Sequence, residues 1–159
     1  MVDHIEIVNF VEYLNLAPTL AAWIMDEWPH FLAPGATLEA LAARLAERTK
    51  PHAIPETFVA LEGTRPIGMA SLVKYDMETR RDLSPWLAGV YVLPQFRNRR
   101  IGSRLVQAVM QDARALSIGQ LYLFTPDKMS FYERLGWCVV ERTAYRGVDV
   151  TIMVYETSA

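Results

Sequence analysis

Apolar and polar positions recur along this chain with periods that assign nearly every segment. His4–Val8 alternates, with Ile5 and Ile7 on one face, and predicts a short strand. Pro18 suits the first turn of a helix, which then runs through Leu20, Trp23 and Ile24 towards Trp28 and stops at Pro29. Thr37 is a good N-cap for a second helix carrying Leu38, Leu41 and Leu45 on one stripe. Pro51 and Pro55 break the chain after it. Thr57–Leu61 and Ile67–Tyr75, joined across Gly63, predict a hairpin. The polar stretch 76–85 predicts a loop. Trp86–Leu93 is almost continuously apolar and predicts a central strand buried on both faces, stopped by Pro94. Helical spacing returns at Ile101, Leu105, Val109 and Leu116. Leu121–Phe124 predicts a short buried strand, and Lys128–Leu135 a short helix closed by Gly136. Val139–Tyr145 and Val148–Tyr155 predict a last hairpin turning at Arg146-Gly147.

The predicted order is β, α, α, β, β, β, α, β, α, β, β. It describes an α+β fold with a mixed central sheet flanked by helices, in one domain over residues 1–159. The unit from Trp86 to Phe124 predicts two parallel strands joined by a crossover helix.

Composition changes this picture little but excludes several functions. The chain is 52% hydrophobic and 21% charged, with a net charge of −2, so no global field points to nucleic acid or an anionic membrane. No apolar run is long enough to cross a bilayer. The single Cys138 and the lack of a leader pattern suit a cytoplasmic, reducing setting. His4, His30 and His52 are scattered, without metal-ligand spacing, so no metal is expected.

Two segments carry chemistry. In the first, Leu93-Pro94-Gln95-Phe96-Arg97-Asn98-Arg99-Arg100-Ile101-Gly102-Ser103 joins the central strand to an amphipathic helix. A helix N-terminus there exposes unpaired N–H groups suited to a pyrophosphate. Gly102 permits close approach, Ser103 adds a hydroxyl, and Arg97, Arg99, Arg100 and Arg104 add positive charge. A basic run alone equally describes a solvated helix entrance. In the second segment, Phe131 and Tyr132 sit side by side in a short helix, so that one packs inward while the other offers a hydroxyl to a cleft; taken alone, such a pair reads as core packing.

Together the segments resemble the GNAT-type N-acetyltransferase superfamily. The resemblance is carried by Val90-Tyr91-Val92-Leu93-Pro94-Gln95-Phe96-Arg97 running on to Ile101-Gly102-Ser103-Arg104-Leu105, and by Phe131-Tyr132-Glu133-Arg134-Leu135-Gly136-Trp137. The phosphate-loop pattern of that superfamily, Arg/Gln-x-x-Gly-x-Gly/Ala, reads Arg97-Asn98-Arg99-Arg100-Ile101-Gly102 here, with Arg100 at a glycine position. Thr125 stands where relatives often carry an asparagine.

The resemblance implies a GNAT-like fold and acetyl-CoA as cosubstrate. The pantetheine arm would pair with the backbone of Val90, Tyr91 and Val92 and touch Thr125. The pyrophosphate would sit on the N–H groups of Asn98, Arg99, Arg100, Ile101, Gly102 and Ser103, beside Arg97. An amine would attack the thioester directly, with Tyr132 as general acid and a backbone N–H near Val90 or Tyr91 at the oxyanion. No general base is evident, since Ala88 and Gly89 occupy the strand where some relatives place a carboxylate. Trp28, His30 and Phe31 are candidates for an acceptor wall, and Asp76, Glu78 and Asp82 for holding a cationic acceptor. The acceptor stays open between a metabolite, an aminoglycoside-like antibiotic and a protein amine. A non-catalytic acyl-CoA sensor and an interaction domain without cofactor are the competing readings. The final hairpin offers an edge for a homodimer.

Overall fold

The computed structural model describes residues 4–157. Its elements are β1 (Ile5–Asn9), α1 (Ala17–Glu27), α2 (Leu38–Ala46), β2 (Glu56–Glu62), β3 (Arg65–Val73), β4 (Trp86–Val92), α3 (Ile101–Ala115), β5 (Gln120–Thr125), α4 (Met129–Arg134), β6 (Cys138–Tyr145) and β7 (Val148–Glu156). The strands form one seven-stranded mixed sheet in the order β1-β2-β3-β4-β5-β7-β6. Every adjacent pair is antiparallel except β4 and β5. The predicted elements and the parallel pair are all present.

Strand alternation divides the sheet between two layers. Along β2, Phe58 and Ala60 face α3, whereas Val59 and Leu61 face α1 and α2. The amphipathic stripe of α3 buries Ile101, Leu105, Val106, Val109 and Met110 on the first face. Helix α3 lies very close to β3: a Cβ on Gly68 would sit 3.0 Å from the Leu105 side chain and 2.8 Å from the Tyr91 carbonyl oxygen. Helices α1 and α2 cover β1 to β3 on the other face, and the Thr37 hydroxyl accepts from the Ala40 N–H as the expected cap of α2. Beyond them, Met77 and Leu83 of the 74–85 loop, with Phe31, pack on Trp86, Tyr145 and Ile152 and cover the β5-β7-β6 half. The outer hairpin strand β6 is an edge, with Val139 and Val140 exposed.

One expectation needs correction. Strand β4 is buried on both faces only at Trp86 and Leu87; from Ala88 to Val92 it is half-exposed. The reason is topological. Strands β4 and β5 share a single register pair, Trp86 with Tyr122, and then part. The continuous apolar run reads as deep burial, but its second half lines an opening in the sheet.

A second irregularity sits at the same place. Ser71 pairs with Ala88 and Met69 with Tyr91, so two steps along β3 match three along β4. The extra residue is a bulge containing Gly89, at φ +62, a backbone state that glycine adopts without strain. Gly89 and Val90 consequently have no register partner on β3 or β5.

Candidate active site

The parting of β4 and β5 opens a cleft of about 520 Å³. Its walls include Leu87 to Val90 of β4, Leu123 to Thr125 of β5, and Tyr132 of α4. A strand that loses its neighbour keeps backbone donors and acceptors without sheet partners, which is the requirement for an extended amide-bearing ligand to pair there.

The two sequence motifs converge on this opening. A Cβ on Gly102 would lie 3.6 Å from the Phe131 ring and 3.8 Å from the Val92 side chain, so the start of α3 abuts α4 and the end of β4. Those are ordinary contacts, and nothing in the protein itself demands glycine at 102. The loop before α3 holds Asn98 at φ +65 and Arg100 at φ +63. Arg100 therefore keeps the left-handed backbone that the absent glycine would adopt, at a cost of roughly 1–2 kcal/mol. Helix geometry leaves the first N–H groups of α3 without intrahelical acceptors. The basic side chains are held by the protein. Arg97 Nε donates to the Val92 carbonyl at 2.9 Å, Arg99 lies 5.3 Å from the Phe96 ring centre, and Arg104 Nη2 donates to the Ile5 carbonyl at 3.1 Å. Tyr91 turns its ring towards α1, 5.2 Å from that of Trp23.

Tyr132 is 8% exposed, packed edge-on to Phe131 and Trp137. Its hydroxyl makes no hydrogen bond among the described residues. Burial, with a smaller contribution from Asp127, raises its pKa well above that of a free phenol, so the group stays protonated at neutral pH. Thr125 is buried on the cleft wall, and its hydroxyl oxygen accepts from the Lys128 N–H at 3.0 Å, fixing the turn into α4.

The other end of the cleft is lined by Trp28, His30, Phe31 and Asp76, and also by Arg44, Arg48 and Ser71. Arg48 Nη1 donates to Thr57 Oγ1 at 2.7 Å and to Ser71 Oγ at 3.1 Å, and those two hydroxyls lie 2.8 Å apart. Burial, helped by Arg44, lowers the Arg48 pKa to about 10. Burial pushes the half-buried Asp76 carboxyl up to about 7, against the pull of Arg48. This polar group was missed in the sequence because its members are far apart and individually ordinary. The only available signal was a serine and a threonine at paired positions of a predicted hairpin.

Asp82 is a correction. It does not line the cleft: both its oxygens pair with the Arg80 guanidinium at 3.1 Å on the exposed side of the loop. Arg80 also bonds Glu141 on the edge strand. Glu78 likewise pairs with Arg146 at 2.9 Å. Their loop positions send both acids to solvent-facing arginines, whereas Asp76 lies where the chain is still leaving β3. Nor are all three histidines isolated from other ligand-type side chains, because His52 lies against Glu56 and Asp112.

Comparison with known proteins agrees with this geometry. Residues 17–137 match the family model described as the acetyltransferase (GNAT) family. The chain is 33% identical over 96 residues to N-alpha-acetyltransferase 30 of Schizosaccharomyces pombe, a match over 57% of this chain and 63% of that protein. The structure of yncA from Salmonella typhimurium with its cofactor acetyl-CoA superposes with a TM-score of 0.75 at 15% identity, over 97% of this chain and 94% of that one. An aminoglycoside 6'-N-acetyltransferase complexed with coenzyme A gives 0.71 at 16% identity, over 97% and 98%. At such identities these structures speak for the fold, and the family match speaks for descent: the chain belongs to the GNAT acetyltransferase family.

Proposed function

We propose that this chain, acting as one domain, transfers an acetyl group from acetyl-CoA to a primary amine. The observation that carries the reading is the parting of β4 and β5 with the unbonded Tyr132 hydroxyl on its wall. The edge of β4 that faces β5, without register partners from Ala88 to Val92, suits the pantetheine amides, and the N–H groups from Asn98 to Ser103 suit the pyrophosphate. The exposed thiol of Cys138 fits a reducing, cytoplasmic setting.

Acetyl-CoA supplies an activated thioester carbonyl, which the neutral amine attacks directly. The Val90 N–H, beside the bulge and without a register partner, is the favoured donor to the oxyanion. Tyr132 is held protonated by burial and gives its proton to the departing thiolate. Asp76 fills the role that no residue of β4 supplies. Its carboxylate attracts the acceptor ammonium and takes a proton from it near neutral pH. Trp28, His30 and Phe31 form the acceptor wall. The aromatic wall and the Asp76 carboxyl suit an amine acceptor, of which the names of two relatives suggest two kinds, an aminoglycoside or an α-amine.

The test is thiol release from acetyl-CoA across a panel of aminoglycosides, polyamines and N-terminal peptides, with thermal unfolding in parallel. A ligand at a hundred times its Kd stabilises by about 2.7 kcal/mol. Stabilisation with amine-dependent release is expected. Stabilisation without release for any amine would make the protein an acyl-CoA sensor, and no stabilisation would remove the cofactor from the reading.

A further inference from the structure

The face of the sheet that carries α3 holds a polar cluster with no part in the chemistry above. Glu56 opens β2 on the same face as Phe58 and Ala60, and there it meets Asp112 of α3. Glu56 is 1% exposed and Asp112 7% exposed. The oxygen Oε1 of Glu56 is fully served: Asn9 Nδ2 and the His52 N–H each donate to it at 2.7 Å. The orientation of Asn9 is set in turn, since its Oδ1 accepts from the Val11 N–H at 3.0 Å. Asp112 Oδ1 lies 2.6 Å from His52 Nδ1. The remaining oxygens, Glu56 Oε2 and Asp112 Oδ2, are buried without a donor among the described residues.

Two buried carboxyls side by side, each with an oxygen left over, need either a proton between them or a counter-charge. His52 covers them from the solvent side, with its own side chain 71% exposed and its backbone held at φ +53. A left-handed backbone at a non-glycine residue is strained and here brings the imidazole over Asp112.

We propose that His52, Glu56 and Asp112 form a binding site for one divalent cation of the zinc class. The donor set is one imidazole nitrogen and two carboxylate oxygens, which suits zinc and its neighbours better than magnesium or calcium, which prefer all-oxygen sets. The candidate ligand atoms lie within 4.8 Å of one another. A tetrahedral zinc site with bonds of about 2.1 Å places its ligands roughly 3.4 Å apart, so the ion would open the His52–Asp112 pair, now at 2.6 Å, and draw the wider separations in, both by side-chain rotation. Exposed His52 marks the path by which the ion enters, and the fourth position opens to water on that side. Asn9 and the His52 N–H hold Glu56 from behind, as outer partners of a metal ligand do. The bound ion ties the segment between α2 and β2 to α3. That segment also carries Arg48, so the site steadies the acceptor end of the cleft from the opposite face of the sheet.

The experiment is calorimetric titration of the chelator-treated full chain with zinc and, separately, magnesium, with thermal unfolding of each sample. One zinc per chain is expected, raising Tm, with no response to magnesium. His52→Ala, a change at an exposed side chain, is expected to weaken zinc binding at least tenfold while the metal-free chain still melts in one cooperative transition. Asp112→Asn is expected to abolish it, and Cys138→Ser to leave it intact. Zinc binding unchanged in His52→Ala and Asp112→Asn would overturn the proposal. So would a lack of binding together with a higher metal-free Tm in Asp112→Asn, which would assign the cluster to a shared proton instead.

Discussion

On the side of the cleft proposed for the cofactor, the chemical groups come from two short stretches, residues 90–103 and 125–137, each a strand end running into a helix. On the side proposed for the acceptor they come from four places: Trp28 to Phe31 after α1, Arg48 after α2, Thr57 and Ser71 on paired strands, and Asp76 in the following loop. The first side uses backbone geometry, in which local conformation determines where N–H groups point. The second uses side chains in a buried network, in which each depends on the others. Function on the cofactor side should therefore tolerate side-chain changes, and function on the acceptor side should not.

Tyr132 is the exception that defines the first claim, since in the proposed reaction it alone on that side acts through its side chain. Tyr132→Phe is expected to lower kcat by about 10²–10⁴-fold, the range of a lost general acid, while acetyl-CoA still raises Tm as in the parent. Stopped-time assays of thiol release with parallel melts check it, and full turnover would remove the acid role.

Asp76→Asn is expected to lower kcat/KM by about a hundredfold at pH 8 and to erase the limb near pH 7 that the parent shows as its carboxyl ionises. Stability gives an independent reading of the same group. A carboxyl raised from about 3.9 to about 7 on folding stabilises fully below pH 4, and that contribution is lost as pH rises to 7. The Tm advantage of Asp76→Asn over the parent is thus expected to be greater at pH 8 than at pH 4. An equal difference at both would mean that Asp76 titrates normally.

Arg48→Met removes the donor to Thr57 and Ser71 and the cation that opposes the rise in Asp76. A loss of about 1–3 kcal/mol is expected by denaturant titration, with the kinetic limb displaced to higher pH. On the cofactor side, Arg100→Gly exchanges a strained residue for the one the conformation suits. Stability is expected to change by no more than about 1 kcal/mol, with the stabilisation by acetyl-CoA retained. Loss of that stabilisation would show that the Arg100 side chain itself holds the phosphates. The smallest effect is expected for Asp82→Asn, whose exposed pair with Arg80 is screened by solvent and touches no part of the cleft, so that neither Tm nor kcat should move measurably. A fall in kcat there would return Asp82 to the acceptor site.

The same contrast explains what could be read in advance. Helix and strand periods, the caps at Thr37 and Gly136 and the turn at Arg146-Gly147 are local, and each predicted element lies within a few residues of its observed place. The placement of Tyr132 and Thr125 on the cleft wall followed from two contiguous motifs. Misjudged burial along Ala88 to Val92 had a non-local cause, because hydrophobicity marks a strand as covered without saying whether a neighbouring strand or a ligand covers it. The positions of Asp76 and Asp82 differ for the same kind of reason: the arginine that pairs with Asp82 is two residues away, while the cation that acts on Asp76 arrives from beyond the end of α2.

The order of elements, the arginine-rich turn into α3 and the buried tyrosine follow from residues in line along the chain, since all three depend on interactions between near neighbours. Folding alone established where the sheet opens, that Arg48 joins Thr57 and Ser71, and that His52 meets Glu56 and Asp112. Those contacts join residues up to 60 positions apart, and their chemistry resides in burial, which no single residue carries before the chain folds.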